Sequence, residues 1–476
     1  MNRSIRRVGV VAALMFLALL VNITTAYVVR TPGLLADPAN GRVVQEQFDA
    51  PRGTILVGNT AIVSTQPSDG PFRYQRVYAA GPMYAPVTGF YSYLYGRSGL
   101  EQSYNSALTG AGGAGLVDKI LAALSNKPAP GDTVQTTLDA KAQQAAWNGL
   151  AGRRGAAVAV DYTTGAILAY VSTPGFDPAP LAGSDMAAVQ QAWQAGTTDP
   201  LNPMYDRAGA QIYPPGSTFK LVTASAALED GWQPAQTVAS PAQLTLPGTS
   251  VQLGNASPCG GDEITMKQAL TVSCNTAFAN IGMAIGQEKL KAMAEAFGFN
   301  ARFRFDLNTA ASVFPSDLDQ AQLAMSAIGQ FDVAATPLQM AMVGAAIANG
   351  GTMMEPYLVS EVRAPDLSII SQQAPAVHSR PIGATTAATL QDMMVSVVTG
   401  GTGKAAQVAG VRVGGKTGTA QSDPSRPAYG WFVGFADNPH VAIAVFVEGS
   451  DTNEDAIAGG RTATPIFRQI LEALRG

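Results

Sequence analysis

Hydrophobic and polar positions divide this chain into stretches of different pattern. The first is an apolar run, Val8–Val29, with no charged side chain, preceded by Arg3, Arg6 and Arg7. As a helix it rises about 33 Å, enough for the ~30 Å hydrocarbon core of a bilayer. Basic residues before the run and none inside place the N-terminus in the cytoplasm and everything that follows outside. A cleaved secretory signal and an uncleaved anchor both fit. Thr24-Thr25-Ala26 is a poor small-residue cleavage site, which favours the anchor.

Thr31–Lys127 is rich in Gly, Pro and Tyr, with β-like runs at Thr54–Thr65 and Phe72–Tyr78. It ends in Lys127-Pro-Ala-Pro-Gly-Asp132, punctuation that reads as a linker. Beyond it the pattern sharpens. Val134–Leu138 reads as a strand, and Asp139 is placed to cap a helix over Ala140–Leu150. Ala156–Asp161 and Ala166–Ser172 are apolar runs joined by Tyr162-Thr163-Thr164-Gly165, a hairpin signal. From Met204 to Asn349 the pattern is mostly helical, with loops at Pro234–Asn255 and Phe299–Pro315. Strands return at Val411–Ala420, Gly430–Ala436 and Val441–Glu448, and a helix over Ala463–Leu474 closes the chain. Strands at both ends of a helical middle imply one sheet built from distant segments, with helices packed on both faces. The expectation is an α/β (α+β) body over 134–476, a smaller β-rich domain over 31–133, and an anchor over 1–30.

Composition narrows the chemistry. Apolar residues are 47% of the 476, so a large core can be buried. A net charge of −4 argues against a nucleic-acid partner. The two histidines, His378 and His440, exclude a multi-histidine metal site, and no cofactor is called for. Cys259 and Cys274 are the two cysteines, and outside the cytoplasm such a pair is more often bridged than free. Two buried thiols are the other reading.

Three short segments carry candidate chemistry. In Tyr213-Pro-Pro-Gly-Ser217-Thr-Phe-Lys220, the prolines and glycine stop a helix and Lys220–Leu228 begins one. Ser217 then stands at a helix N-terminus with Lys220 one turn on, so hydroxyl and ammonium share a face. A serine hydroxyl needs a proton acceptor to become a nucleophile, and a lysine of lowered pKa supplies one. A Ser cap beside a solvated Lys gives the same spacing. Here the helix is apolar nearly all round, which buries it and aims the Lys into a site. Ser273-Cys274-Asn275 lies between two helical patterns; Ser273 and Asn275 suit a proton relay and a grip on a carbonyl, or simply cap those helices. Gly414-Gly-Lys416-Thr417-Gly418-Thr419 sits on a strand, with a cation and hydroxyls to hold a carboxylate. Gly410 through Thr417 also satisfies G-x-x-x-x-G-K-[ST], but Gly418, Pro424 and Pro427 follow where a phosphate loop needs a helix.

Taken in order, Ser217-x-x-Lys220, Ser273-x-Asn275 and Lys416-Thr417-Gly418 resemble the signature of penicillin-recognising serine acyltransferases. Val134–Asp139, Thr164–Ala169, Thr336-Pro-Leu-Gln339, Ala348–Gly351 and Gly400-Gly-Thr-Gly403 extend the likeness across the transpeptidase domain. Arg52-Gly53-Thr54-Ile55 and Gly99-Leu100-Glu101…Tyr104-Asn105 resemble the pedestal domain of class B penicillin-binding proteins. The short pedestal, Tyr84–Tyr91 and the Ser-Cys-Asn motif most resemble an actinobacterial branch of that class.

The resemblance implies a peptidoglycan D,D-transpeptidase blocked covalently by β-lactams. Ser217 attacks the penultimate D-Ala carbonyl of a stem peptide and Lys220 takes its proton. Ser273 relays a proton to the leaving D-Ala, and Asn275 binds the donor backbone. Lys416 and Thr417 with Thr419 orient the terminal carboxylate, and the N–H groups of Ser217 and Thr419 form the oxyanion hole. It also implies the cytoplasmic membrane as location, with a membrane glycan polymerase and division or elongation proteins as partners. About 100 residues between the anchor and Val134 are too few for a glycosyltransferase. A D,D-carboxypeptidase and a silent β-lactam-binding scaffold or sensor are the alternatives.

Overall fold

The computed structural model describes residues 3–26, 45, 47–110, 130–420, 428–449 and 459–476. In chain order come helix α1 (Arg3–Thr25), strands β1 (Ile55–Val57), β2 (Thr60–Pro67), β3 (Tyr74–Tyr78) and β4 (Thr133–Thr136), and helix α2 (Ala140–Gly149). The hairpin β5 (Arg154–Asp161) and β6 (Ile167–Thr173) follows. The helical middle holds α3 (Lys220–Glu229), α4 (Met266–Val272), α5 (Asn275–Ile285) and α6 (Pro337–Ala348). After β7 (Val359–Arg363), β8 (Ile369–Gln372) and α7 (Ala384–Gly400), the chain ends in β9 (Val413–Ala420), β10 (Tyr429–Ala436), β11 (Val441–Glu448) and α8 (Ala463–Arg475).

The body is the antiparallel sheet β9-β10-β11-β5-β6. Side chains alternate across it, as the two-residue period of a strand requires. Ala156, Val158, Val160, Ala442, Ala444 and Phe446 join one core with α3, α5 and α6. Ala157, Ala159, Ile443 and Val445 join another with Ala142 and Ala146 of α2 and Ile466 and Phe467 of α8. Both faces are therefore covered, and helix α8 shows how: Ile466, Phe467, Ile470 and Leu471 are buried in one stripe. Each such side chain contributes roughly 1.5–3 kcal/mol by leaving water.

The strand expected at Val134–Leu138 forms as β4, but it does not join the body sheet. It pairs in parallel with β1 and antiparallel with β7, inside the pedestal sheet β8-β7-β4-β1-β2-β3. The reason lies in its alternation: Val134 and Thr136 are buried, Thr133 and Gln135 half-exposed. A strand with one apolar face suits a one-sided sheet, whereas β5, β10 and β11 are buried almost throughout. Residues 359–372 return from the body to complete the same sheet. Tyr104 adds a polar tie, its hydroxyl donating to Asp306 Oδ1 at 2.5 Å while Asp306 Oδ2 accepts the N–H of Leu358 at 2.6 Å.

Other expectations shift. Helix α1 starts at Arg3, ahead of the apolar run, because arginines are good helix formers. Its Ile5–Thr25 portion is long and apolar enough to cross a membrane, with mean hydropathy 2.3 and none of it buried in the protein. A helix over Met186–Thr198 precedes the expected helical middle, and after Met204 helix resumes only at the turn Gly216–Phe219. The loop expected at Pro234–Asn255 contains short strands: Thr237–Ala239 pairs with Glu263–Thr265, and Gln243–Thr245 with Gln252–Gly254. They are mostly exposed and only three residues long, too short for their alternation to stand out from a loop. Residues 27–29 at the end of the apolar run, residues 127–129 of the linker, Pro424 and Pro427 lie outside the described residues.

Candidate active site

Three pieces of chain converge on a cavity of about 430 Å³ lined by Ser217, Ser273, Asn275, Thr417 and Thr419. The first is the turn Gly216–Phe219, which runs straight into α3. Gly216 has φ +51°, and a Cβ there would meet the carbonyl oxygen of Thr419 at 2.6 Å. Glycine is what lets Ser217 lie against β9. Ser217 is half-exposed, and its hydroxyl has no hydrogen-bond partner among the described residues.

Lys220, one turn on, is fully buried. Its Nζ donates to Ser273 O at 2.8 Å and Asn275 Oδ1 at 2.7 Å, with Ser273 Oγ at 3.4 Å. The second piece supplies those acceptors: α4 ends with Ser273 in the left-handed region (φ 63°), which turns the chain directly into α5 at Asn275. The third is β9, where Lys416, also fully buried, donates from Nζ to Ser273 Oγ at 2.7 Å and Thr417 O at 2.9 Å. Ser273 Oγ thus lies between two lysines.

Burial holds Lys220 well below the usual lysine pKa, and the neighbouring Lys416 lowers it further. Burial alone pushes Lys416 down to about 7. The structure therefore collects Ser217, Lys220, Ser273, Asn275, Lys416, Thr417 and Thr419 around one cavity. Gly418 sits flush against the Ser217 turn, where a Cβ would meet Pro215 O at 2.9 Å. The direct Ser217–Lys220 hydrogen bond that a proton transfer needs is not made; the lysine is held by Ser273 and Asn275 instead. After Thr417 the chain stays in strand to Ala420, so the phosphate-loop spacing has no helix behind it.

Sequence reasoning gave no role to several lining residues. Thr402 Oγ1 shares a hydrogen bond with Thr417 Oγ1 at 2.6 Å, and Ala256, Ser257, Gln330 and Arg461 complete the wall. Thr402 lies in the Gly400–Gly403 stretch, which signals a tight turn but not its destination. Cys259 and Cys274 are joined in a disulfide with Cα atoms 5.4 Å apart, tying the 255–262 segment to the residue between Ser273 and Asn275. Replacing both by serine is expected to cost ~3 kcal/mol by releasing a loop of about 15 residues in the unfolded chain. Urea unfolding of wild type and double variant measures this, and equal midpoints would refute it.

Comparison with known proteins agrees with this geometry. Residues 155–472 match the penicillin binding protein transpeptidase domain, and 52–134 the penicillin binding protein A dimerisation domain. The chain is 41% identical to the peptidoglycan D,D-transpeptidase PbpA of Mycolicibacterium smegmatis over 99% of both proteins. It is 38% identical to PbpA of Mycobacterium tuberculosis, again over 99% of both. The penicillin G acyl-enzyme complex of penicillin-binding protein A from M. tuberculosis superposes with TM-score 0.83 at 38% identity, covering 89% of this chain and 99% of that one. Its ceftriaxone acyl-enzyme gives 0.84 at 36% identity, covering 90% and 99%. With sequence, fold and site in accord, the chain belongs to the penicillin-binding protein transpeptidase family, as a class B member closely related to the mycobacterial PbpA enzymes.

Proposed function

We propose that this chain is a serine D,D-transpeptidase in which Ser217 is the nucleophile and Lys220 its base. The observation that carries the assignment is the buried pair Lys220 and Lys416 meeting at Ser273 Oγ, one helical turn from a half-exposed serine hydroxyl. Burial, and after it the neighbouring Lys416, lower the Lys220 pKa well below the usual lysine value, the direction a base for the Ser217 proton requires.

The Ser217 Oγ–carbon bond forms at the penultimate D-Ala carbonyl as its bond to the terminal D-Ala nitrogen breaks. The Oγ proton passes to Lys220, and the leaving amine takes a proton through Ser273. The N–H groups of Ser217 and Thr419 stabilise the oxyanion, Asn275 binds the donor backbone, and Lys416, Thr417 and Thr419 hold the terminal carboxylate. An amine of a neighbouring stem peptide then attacks the ester, the new amide forms, and Ser217 recovers its proton. A β-lactam enters at the first step and stays as the ester. Every step is carried by side chains and backbone groups of this chain.

Helix α1 and the arginines at its start support a single-pass anchor in the cytoplasmic membrane with the catalytic body outside. Cross-linking needs nascent glycan strands, so a membrane glycan polymerase, working with division or elongation proteins, is the partner class we assign.

The test is intact-protein mass of the full chain in detergent after benzylpenicillin, beside Ser217→Ala. A lasting adduct of one penicillin, absent from the variant, is expected; an unmodified wild type would sink the assignment. A D-Ala-D-Ala-ended stem peptide with an added amine should then yield a cross-linked product. Free D-Ala with no cross-link would make the protein a carboxypeptidase.

A further inference from the structure

Helix α5 begins at Asn275 without a cap of its own. The preceding residue, Cys274, makes no capping hydrogen bond, because its sulfur is engaged in the disulfide. The first N–H groups of a helix need acceptors. Here they come from far upstream: Asn255 Oδ1 accepts from Asn275 N at 2.7 Å and Thr276 N at 3.0 Å. The other end of the same amide donates to Thr276 Oγ1 at 3.1 Å and Pro241 O at 3.2 Å. Asn255 is therefore used at both ends, and its own orientation is set.

Its neighbour holds the functional side chain. Gly254 O accepts from Asn275 Nδ2 at 3.0 Å, and that contact turns Asn275 Oδ1 toward Lys220 Nζ, 2.7 Å away. Four residues beyond Asn255, the Cys259–Cys274 bridge closes the segment onto the residue before Asn275. One short stretch, 254–259, thus fixes Asn275 through its backbone, its side chain and a covalent link.

Resting on the acyl-transfer reading above, we infer that Asn255 is a positioning residue for acylation. It caps α5 from outside and keeps the Asn275 amide aimed at Lys220, so that Ser273, Asn275 and Lys220 keep one geometry while substrate enters. Its action is on the group that must accept the Ser217 proton, not on substrate.

The experiment compares wild type, Asn255→Ala and Asn255→Asp as full chains in detergent. The readouts are the second-order rate constant for benzylpenicillin acylation across pH and the fraction of protein that can be acylated. Asn255→Ala is expected to lower the rate constant roughly ten- to hundred-fold, the loss of an oriented hydrogen bond to a charged group. It also moves the acid limb of the profile to lower pH, because the Lys220 ammonium loses a held acceptor. Asn255→Asp keeps an acceptor for both N–H groups and gives up only the donor that met Pro241 O and Thr276 Oγ1. It recovers much of the rate, and its negative charge moves the acid limb to higher pH.

Lys416, from β9, is the charged group acting on Lys220 among the described residues; α4 and α5 contribute Ser273, Asn275 and the Phe278 ring, 5.5 Å away. The limb shifts are read against that constant background. A wild-type rate constant and limb in Asn255→Ala would overturn the proposal. So would a smaller acylatable fraction with rate constant and limb unchanged, the mark of a structural cap alone. Should the Ala variant not fold, an unshifted limb in the Asp variant overturns it equally. Failure of wild type to acylate would instead remove the acyl-transfer reading, so the two failures are distinguishable.

Discussion

Lys220→Met is expected to lower the rate constant for benzylpenicillin acylation about 10³-fold while the protein stays folded. General-base assistance contributes typically ~10²–10⁴-fold, and a methionine keeps the length of the side chain without its basic nitrogen. The fold should tolerate the change because Lys220 is fully buried beside a second buried lysine. No anionic side chain pairs with Lys220 among the described residues, so its removal strands no countercharge and lifts the cost of burying it beside Lys416. Ser273 and Asn275, which lose their donor, line the cavity, where water can meet the freed oxygens.

A second signature follows from proton linkage. The folded-state pKa of Lys220 lies well below its unfolded value, so the unfolded chain binds the extra proton between the two. Wild-type stability therefore rises with pH through that window, and Lys220→Met should lose this part of the slope. Stopped-flow acylation and urea unfolding across pH measure both effects. An unchanged rate constant would exclude Lys220 as the base.

Glu101→Gln is expected to cost about 3–5 kcal/mol, the penalty for breaking a buried ion pair from one side. Glu101 is fully buried in the pedestal, where it accepts from Arg52 Nε at 2.5 Å and Arg76 Nε at 2.6 Å. Arg52 also reaches the Glu101 carbonyl at 2.7 Å, and Arg76 reaches Gly53 O at 2.5 Å. A neutral amide leaves two buried guanidinium groups without their countercharge. Burial by itself would raise the Glu101 pKa, but Arg76 and Arg52 together hold it below the usual carboxylate value.

The sign is then fixed. The carboxylate's contribution is complete above its unfolded pKa and disappears as pH falls through the lower folded one. Thermal unfolding of Glu101→Gln should lie far below wild type at neutral pH and approach it in acid. Coincident melts at pH 7 would disprove the role of the cluster. Acylation by the folded fraction should be unaffected, because none of these residues touches the cavity around Ser217.

The chemistry of the site was legible because each motif also carries a local structural instruction. Pro214, Pro215 and Gly216 stop the chain ahead of α3, so Ser217 and Lys220 share a helical face whatever surrounds them. The apolar runs of β10 and β11 announce strands buried on both sides. Asn255 and Thr402 could not be found this way. Asn255 acts 20 residues from the helix it caps, with the Cys259 segment and α4 in between. Thr402 meets Thr417 only because Gly401 packs its backbone against Thr271. The Glu101 cluster was hidden for a related reason: isolated charges read as surface until the fold shows them paired in the core.

The chain by itself determined the apolar N-terminal helix, the body sheet with its two buried faces, and the residue types and order of the active site, since these rest on periodicity, steric breaks and side-chain chemistry acting over a few residues. Tertiary structure alone decided that β4 leaves the body for the pedestal, that residues 359–372 return to join it, and that Lys220 is gripped by Ser273 and Asn275 rather than by Ser217. Those outcomes depend on which partly buried strand finds which edge and which buried donor finds which acceptor, and such choices are made only when segments far apart in the chain are desolvated together.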